Sequence, residues 1–262
     1  MSGRVGKYRA PEGFDPRADL LAKYPDLGDL AEIYASNEGA RVHKWHHYLP
    51  LYERYMARWR GKPVRFLEIG VAQGGSQAMW RKYLGPEAII YGIDIREGCM
   101  GLNGVHAQVR IGSQDDPEFL KSVVAEMGGL DLVLDDGSHE MPHIEASLDA
   151  LFPLMSNGGS YMIEDLHTAY WTRWGGGLKN PANFFNSVRS IADDMNHWYH
   201  EGEINRPALL DQVAGIHVHD AFVVFDKDVV HEPIHSFVGN TESSRQVARR
   251  AAKAANAEGE HD

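Results

Sequence analysis

Two acidic pairs carry the most chemical information in this chain: Asp135-Asp136, which opens "DDGSHEMPH" at 135–143, and Glu164-Asp165. Each follows a short apolar run, "LVL" before the first and "YMI" before the second. Such runs read as buried parallel strands, and open α/β sheets place their ligands at the carboxyl ends of those strands. Neighbouring parallel strands lie about 4.8 Å apart, so the two tips bring carboxylates toward one point. Crowded carboxylates repel and do not all ionise without a cation. A hard divalent ion such as Mg²⁺ takes oxygen ligands and keeps positions open for water or substrate. The competing account is that the acids cap helices and bind a ligand's ammonium group. His139 follows Asp136 in the same turn. Beside such a cation it is placed as a general base, able to take a proton from an attacking hydroxyl near neutral pH.

The letters His139-Glu140-Met141-Pro142-His143 also match the H-E-x-x-H pattern of zinc proteases. That chemistry needs both histidines one turn apart on a formed helix, plus a third ligand. Here His139 stands in the turn after a strand and Pro142 marks the first helical turn, so the match is a coincidence of letters.

A second constellation lies upstream. Glu68-Ile69-Gly70-Val71-Ala72-Gln73-Gly74-Gly75 fails the dinucleotide pattern G-x-G-x-x-G at its second glycine but fits E-x-G-x-x-x-G. Glycines there let a ligand approach the backbone, and the following helix start offers unpaired N–H groups. The next apolar run, "AIIYGIDI", carries Asp94 at its end, where an acid accepts hydrogen bonds from both ribose hydroxyls. Together they imply an adenosine-containing ligand whose charged part is not a pyrophosphate. Alone, the glycine loop is equally a tight turn.

The elements that must position these residues alternate. Strands are predicted at "VRFLEIG", "AIIYGIDI", "VHAQVRIG", "LDLVLDDG" and "GGSYMIED", and helices at "SQAMWRKYL", "PEFLKSVVAEM" and "HIEASLDALFPLM". Pro117 at a first turn and Gly128-Gly129 beyond the last turn bound one helix. Alternation of this kind implies βαβ units and a mostly parallel, doubly wound α/β sheet. A helical region near 182–200 follows, then "GIHVHDAFVVFDKD" as a late antiparallel strand or hairpin. Three segments are expected: a helical extension at 1–60 packed on the core, a ligand-binding domain at 61–240, and a tail at 241–262, helical or disordered. Within the first, residues 1–26 are expected to wrap the surface, and Leu30, Ile33 and Tyr34 sit at helical spacing. Tyr48, Tyr52 and Tyr55 in "KWHHYLPLYERYMARW" read as aromatics packed on the core.

A chain of 262 residues can bury one substantial core. Its net charge of −11 argues against a nucleic-acid binder, which needs basic patches. The single cysteine, Cys99, suits a reducing compartment. With no apolar run of about 18 residues, the expectation is a cytoplasmic protein that does not engage a membrane.

Glu68, Gly70, Gly74 and Asp94, in this order, resemble the class I S-adenosylmethionine-dependent methyltransferases, with the likeness running from about residue 64 to 235. The resemblance implies a Rossmann-like class I methyltransferase fold with N-terminal helical additions. It sets the glycine loop against the methionine portion of S-adenosylmethionine and Asp94 on the ribose. "GSQDD" at 112–116 stands where the family contacts adenine, which makes Gln114 and Asp115 candidates; a polar loop before a helix is the alternative. Asp135 joins these cofactor-binding residues.

"LDLVLDDGSH" and "GGSYMIEDLHTAYW" are similar to blocks of the metal-dependent sugar O-methyltransferases of macrolide and related glycosylated natural-product pathways, and of the cephalosporin hydroxylase-like branch. "LAEIYASNEG", "HHYLPLYERY" and "IHVHDAFVVFDK" extend the likeness over most of the chain. It implies Asp136, Glu164 and Asp165 as metal ligands and His139 as catalytic base. His167, Tyr170 and Trp171, with Thr168 and Trp174, are expected to form the acceptor wall or to pack beneath a helix. "WGGG" at 174–177 is expected as a flexible lid. One departure is Ser36-Asn37-Glu38-Gly39, where relatives commonly read Ser-Asp-Lys-Trp-Gly.

The implied function is Mg²⁺-dependent methyl transfer from S-adenosylmethionine to a hydroxyl of a sugar or glycosylated natural product. The alternatives are a phenolic or polyketide hydroxyl as acceptor, or a non-catalytic S-adenosylmethionine-binding protein. The expected partner is a small-molecule glycosylated acceptor, with no nucleic acid and no membrane, in a homo-oligomer.

Overall fold

The computed structural model describes residues 8–239 and 243–258, with only the backbone described for 254–258. Its centre is a seven-stranded sheet of β1 (Arg65–Ile69), β2 (Ile89–Asp94), β3 (Gln108–Ile111), β4 (Leu132–Asp135), β5 (Ser160–Ile163), β6 (Val213–His219) and β7 (Phe222–Lys227). The order across the sheet is β3-β2-β1-β4-β5-β7-β6. β1 to β5 pair in parallel; β7 runs antiparallel to both β5 and β6. The strand order reverses between β1 and β4, which is where a doubly wound sheet opens its ligand crevice.

Helices α1 (Pro16–Lys23), α2 (Asp29–Ala35), α3 (Leu49–Met56), α4 (Gly75–Leu84), α5 (Pro117–Met127), α6 (Met141–Leu151), α7 (Phe184–Met195) and α8 (Ser244–Glu258) complete the described regular elements, apart from short 3₁₀ turns. Side chains alternate across each strand, so Val133 shares one core cluster with Val123 of α5, Leu148 of α6 and Ile191 of α7, while Leu132 and Leu134 share another with Tyr52 of α3 and Trp80 of α4. Each large side chain buried this way contributes about 1.5–3 kcal/mol. α5 begins where Asp116 accepts the N–H groups of Glu118 and Phe119, with Pro117 in the first turn, and stops at left-handed Gly128.

Residues 16–23, read from sequence as surface wrapping, form helix α1. Its signals are local: Asp15 accepts from Arg17 and Ala18, and Pro16 opens the first turn. α1 to α3 lie in the same compact unit as the sheet, which runs to His231, and Leu20, Leu30 and Tyr52 share a core cluster with Phe66. Glu232 begins a second unit, whose described helix is α8. Of the expected tail, 241, 242 and 259–262 lie outside the described residues, as do 1–7. Among the described residues, no helix is long and apolar enough to cross a membrane.

Candidate active site

Strand register aligns the residues that leave the sheet. Ile69 lies opposite Ile93 on one side and Asp135 on the other, and Asp135 lies opposite Ile163. Ladder hydrogen bonds extend one step further, from Gly70 N–H to Ile93 O, Asp136 N–H to Ile69 O and Glu164 N–H to Asp135 O. Gly70 (φ 96°) is needed at that crossing, because a Cβ there would collide with the backbone oxygen of Asp136. The tips of β1, β2, β4 and β5 border a cavity of about 780 Å³, within the size range of small-molecule sites.

At the tips of β4 and β5 the acids converge. His139 Nε2 stands 3.8 Å from Asp136 Oδ1 and 3.9 Å from Asp165 Oδ2. One ligand atom from each of these three residues lies within 4.8 Å of the others, a donor set able to hold a cation. Its two carboxylates suit a hard divalent ion. His139 (φ 60°) and Asp165 (φ 59°) both adopt left-handed backbone, a conformation in which His and Asp are enriched among non-glycine residues.

Glu164, expected in the ligand set, has both oxygens engaged from behind. Lys44 Nζ donates to Glu164 Oε1 at 2.6 Å and to Asp136 Oδ2 at 2.6 Å, and the Tyr52 hydroxyl donates to Glu164 Oε2. The Tyr48 hydroxyl donates to Asp165 Oδ1 at 3.1 Å. Burial opposes charge on Lys44, but Asp136, Glu164 and Glu68 outweigh it and hold the ammonium form far above its usual range. Burial and the neighbouring Asp136 push Glu164 well above the ordinary carboxylate range. Asp136 is half-buried; desolvation opposes its charge, yet Lys44 draws it below that range.

Lys44, Tyr48 and Tyr52 were missed as site residues. Their signal is spacing, since each stands four positions after the one before. The tyrosines do bury their rings in the core, while their hydroxyls reach the acids.

The half of the cavity at the tips of β1 and β2 is built differently. Asp94 Oδ2 accepts the N–H groups of Val71 (3.1 Å) and Ala72 (3.0 Å), tying the glycine loop to β2, and the Arg96 guanidinium pairs with both of its oxygens. Burial opposes its charge, but these bonds hold Asp94 far below its usual range. Gln114 lines the cavity while donating to Asp135 (3.2 Å) and accepting from Ser138 N–H (2.7 Å).

Gly70, Asp94 and Gln114 thus border the cavity; Glu68, Gly74, Asp115 and Asp135 do not. Glu68 is fully buried and accepts from Trp80 Nε1 at 2.9 Å. Asp135 accepts from Ser147 Oγ at 2.8 Å beneath the site. Gly74 supplies the left-handed turn into α4, and Asp115 faces His143 at 3.5 Å.

Of the residues expected as an acceptor wall, His167 and Trp171 line the cavity in edge contact with each other, joined by Trp45 and Trp174. Tyr170 turns outward and stacks on Phe185 instead. The stretch expected as a flexible lid is pinned. Asn180 donates to the carbonyls of Gly175 and Gly176, Asn183 donates to that of Gly177, and Gly177 N–H donates to Ala169 O. The protease-like letters separate as expected: His139 precedes α6 and faces Asp136 and Asp165, whereas His143 lies within α6 beside Ser138 and Asp115.

Residues 67–166 match the family model described as a methyltransferase domain. The sheet and its flanking helices have the class I methyltransferase fold. The chain is 38% identical over 239 residues to the 8-demethyl-8-(2-methoxy-alpha-L-rhamnosyl)-tetracenomycin-C 3'-O-methyltransferase of Streptomyces olivaceus, a match covering 84% of this chain and 60% of that protein. It is 33% identical to the mycinamicin VI 2''-O-methyltransferase of Micromonospora griseorubida, covering 79% of this chain and 53% of that protein. Among solved structures it resembles the MycE methyltransferase of the mycinamycin biosynthetic pathway, in complex with Mg, SAH and mycinamycin VI. That match has a TM-score of 0.69 and 29% identity, over 87% of this chain and 59% of that one. The chain therefore spans between half and two thirds of these relatives' length.

Proposed function

We propose that this methyltransferase moves the methyl group of S-adenosylmethionine to a hydroxyl of a sugar or glycosylated natural product, with Mg²⁺ as its resident ion. The observation that carries this reading is the meeting of Asp136, Asp165 and His139 on the cavity that also holds the glycine loop and Asp94. Glycosylated substrates named for the relatives support the acceptor class.

Asp136 and Asp165 would hold the ion, with Glu164 as the third acid of the set. When bound, Mg²⁺ lowers the pKa of a hydroxyl and stabilises developing oxyanion charge. His139 Nε2 takes the hydroxyl proton as the oxygen attacks the methyl carbon and the carbon–sulfur bond breaks in line. Asp94, Gln114 and the glycine loop fix the adenosine and methionine portions, and His167 and Trp171 fix the acceptor. Such positioning lowers the barrier by removing orientational freedom beforehand. The aromatic edges suit sugar C–H faces, and polar groups among them suit hydroxyls.

A cytoplasmic setting and a homo-oligomer belong to the same reading; the free, buried Cys99 suits a reducing compartment.

The test incubates the full chain with S-adenosylmethionine, Mg²⁺ and a panel of glycosides with their matching aglycones, following S-adenosylhomocysteine release. Turnover on glycosides that EDTA abolishes is expected. Turnover on aglycones alone would favour the phenolic or polyketide reading. Donor binding without turnover on any acceptor would favour a non-catalytic protein, and full activity after EDTA would remove the metal.

A further inference from the structure

In a chain of net charge −11, four arginine and lysine side chains line the cavity: Arg41, Lys44, Arg96 and Arg173. Two of them are committed within the protein. Lys44 pairs with Asp136 and Glu164, and Arg96 with Asp94. Among the described residues, no ion pair ties Arg41 or Arg173 to a carboxylate.

These two guanidinium groups enter the cavity from different elements. The backbone oxygen of Arg41 lies against Gly75, at the start of α4 and beside the glycine loop. Arg173 stands in the 3₁₀ turn Thr172–Trp174, next to Trp171. That turn is fixed by its own backbone, since Trp174 N–H donates to Trp171 O at 3.0 Å and Gly175 N–H to Thr172 O at 3.1 Å. The Arg173 guanidinium lies over the Trp174 ring, 5.5 Å from its centroid, and that ring meets His139 edge-on at 6.1 Å. Stacking takes none of a guanidinium's N–H groups, so the fork of Arg173 stays available as a donor.

We propose that Arg173 recognises an oxyanion on the acceptor, so that the glycosylated substrate carries a carboxylate or a phosphate as well as the hydroxyl that is methylated. This rests on the methyl-transfer reading above and narrows its substrate class. The methyl donor brings one carboxylate, on its methionine portion, and Arg41 beside the glycine loop is the guanidinium placed to meet it. Arg173 then needs a different anion. The sulfonium adds positive charge to the same cavity, which further favours a negatively charged acceptor. A guanidinium fork grips carboxylate or phosphate through two parallel N–H bonds, which a lysine cannot do. Held at that fork, the sugar is oriented against His139 through a pinned turn and one tryptophan ring.

The test follows S-adenosylhomocysteine release by the full chain at saturating S-adenosylmethionine and Mg²⁺, on glycosides in matched pairs. 4-Nitrophenyl glucoside is set against 4-nitrophenyl glucuronide, and glucose against glucose 1-phosphate. The unaltered protein should prefer an anionic member over its neutral mate at least ~10-fold in kcat/KM, and added KCl should shrink that preference. Preference for the glucuronide assigns the anion as a carboxylate, and preference for the sugar phosphate assigns it as a phosphate. Arg173→Gln should raise the KM of the anionic acceptor at least ~10-fold, with kcat within about threefold and the neutral acceptor within about twofold. Arg173→Lys, which keeps the charge and loses the fork, should fall between the two. Calorimetric Mg²⁺ affinity should be the same in Arg173→Gln as in the unaltered protein, because the substitution leaves the acids alone. Preference for the neutral members, or equal losses on neutral and anionic acceptors in Arg173→Gln, would overturn the role given to Arg173. Turnover of no glycoside at all would instead remove the methyl-transfer reading, and this proposal with it.

Discussion

At the tip of β2 a carboxylate is held by its own chain, whereas at the tips of β4 and β5 the carboxylates contend with one another. Asp94 receives backbone N–H groups from Val71, Ala72 and Arg96 and a forked guanidinium contact; its charge is stabilised locally. Asp136 and Glu164 receive one ammonium between them, from a residue far away in sequence. The same chemical group at equivalent positions in one sheet is therefore set to opposite ends of its acidity range, Asp94 far below and Glu164 well above. Local backbone donors make a rigid acceptor for a neutral nucleoside. Crowded acids make a site that attracts a cation.

The largest effect should come from breaking the crowded side. Asp136→Ala should lower kcat by at least ~10³-fold, about 4 kcal/mol of barrier, measured by S-adenosylhomocysteine release with folding checked by circular dichroism. Activity within tenfold of the unaltered enzyme would be incompatible with the cation site.

Glu68 sharpens the contrast, because it is buried like Glu164 but takes its hydrogen bond from Trp80 rather than from the Lys44 ammonium. Burial raises its pKa from 4.5 to about 7, although Lys44 and Trp80 act in the other direction. The folded protein thus binds this proton more tightly than the unfolded chain does. Stability from it is fully present below pH 4.5 and is lost as pH rises through about 7. Glu68→Gln should remove that loss, raising stability above pH 7 by about 3 kcal/mol and leaving it unchanged below pH 4.5. Denaturant melts across this range check it, and parallel pH profiles for both proteins would refute it.

On the β2 side, Asp94→Asn should weaken S-adenosylhomocysteine binding by roughly 30-fold, about 2 kcal/mol, with Mg²⁺ affinity unchanged by calorimetry. The acceptor wall supplies the smallest pair of effects. Trp171→Ala should raise the acceptor KM about tenfold, while Tyr170→Ala, which faces outward, should leave it within about twofold. Equal effects at these two positions would mean that the wall is drawn wrongly.

Much of the fold was legible because its determinants are local. Five apolar runs ending in Gly or acidic residues gave the parallel strands, and proline and glycine marked the bounds of α5. α1 went unread although Asp15 and Pro16 signal its start, since its short amphipathic pattern is weak beside the charges around it. In the site, spacing pointed to Asp94, Asp136, His139 and Asp165, and the structure places all four on the cavity. It could not separate residues that touch the cavity from those that support it. Glu68 and Asp135 lie one residue from cavity-lining neighbours and yet face the interior, because successive strand residues point to opposite sides.

What the sequence determined by itself was the alternation of strands and helices and the placing of acids at strand tips, since hydrophobic period and turn chemistry act over a few residues. The tertiary structure alone decided which acids share an ammonium group. Lys44 meets Asp136 across 92 positions and Glu164 across 120, and no periodicity spans such separations. Only the packing of α3 and its preceding segment against the sheet brings that ammonium to the carboxylates, where low dielectric makes its charge count.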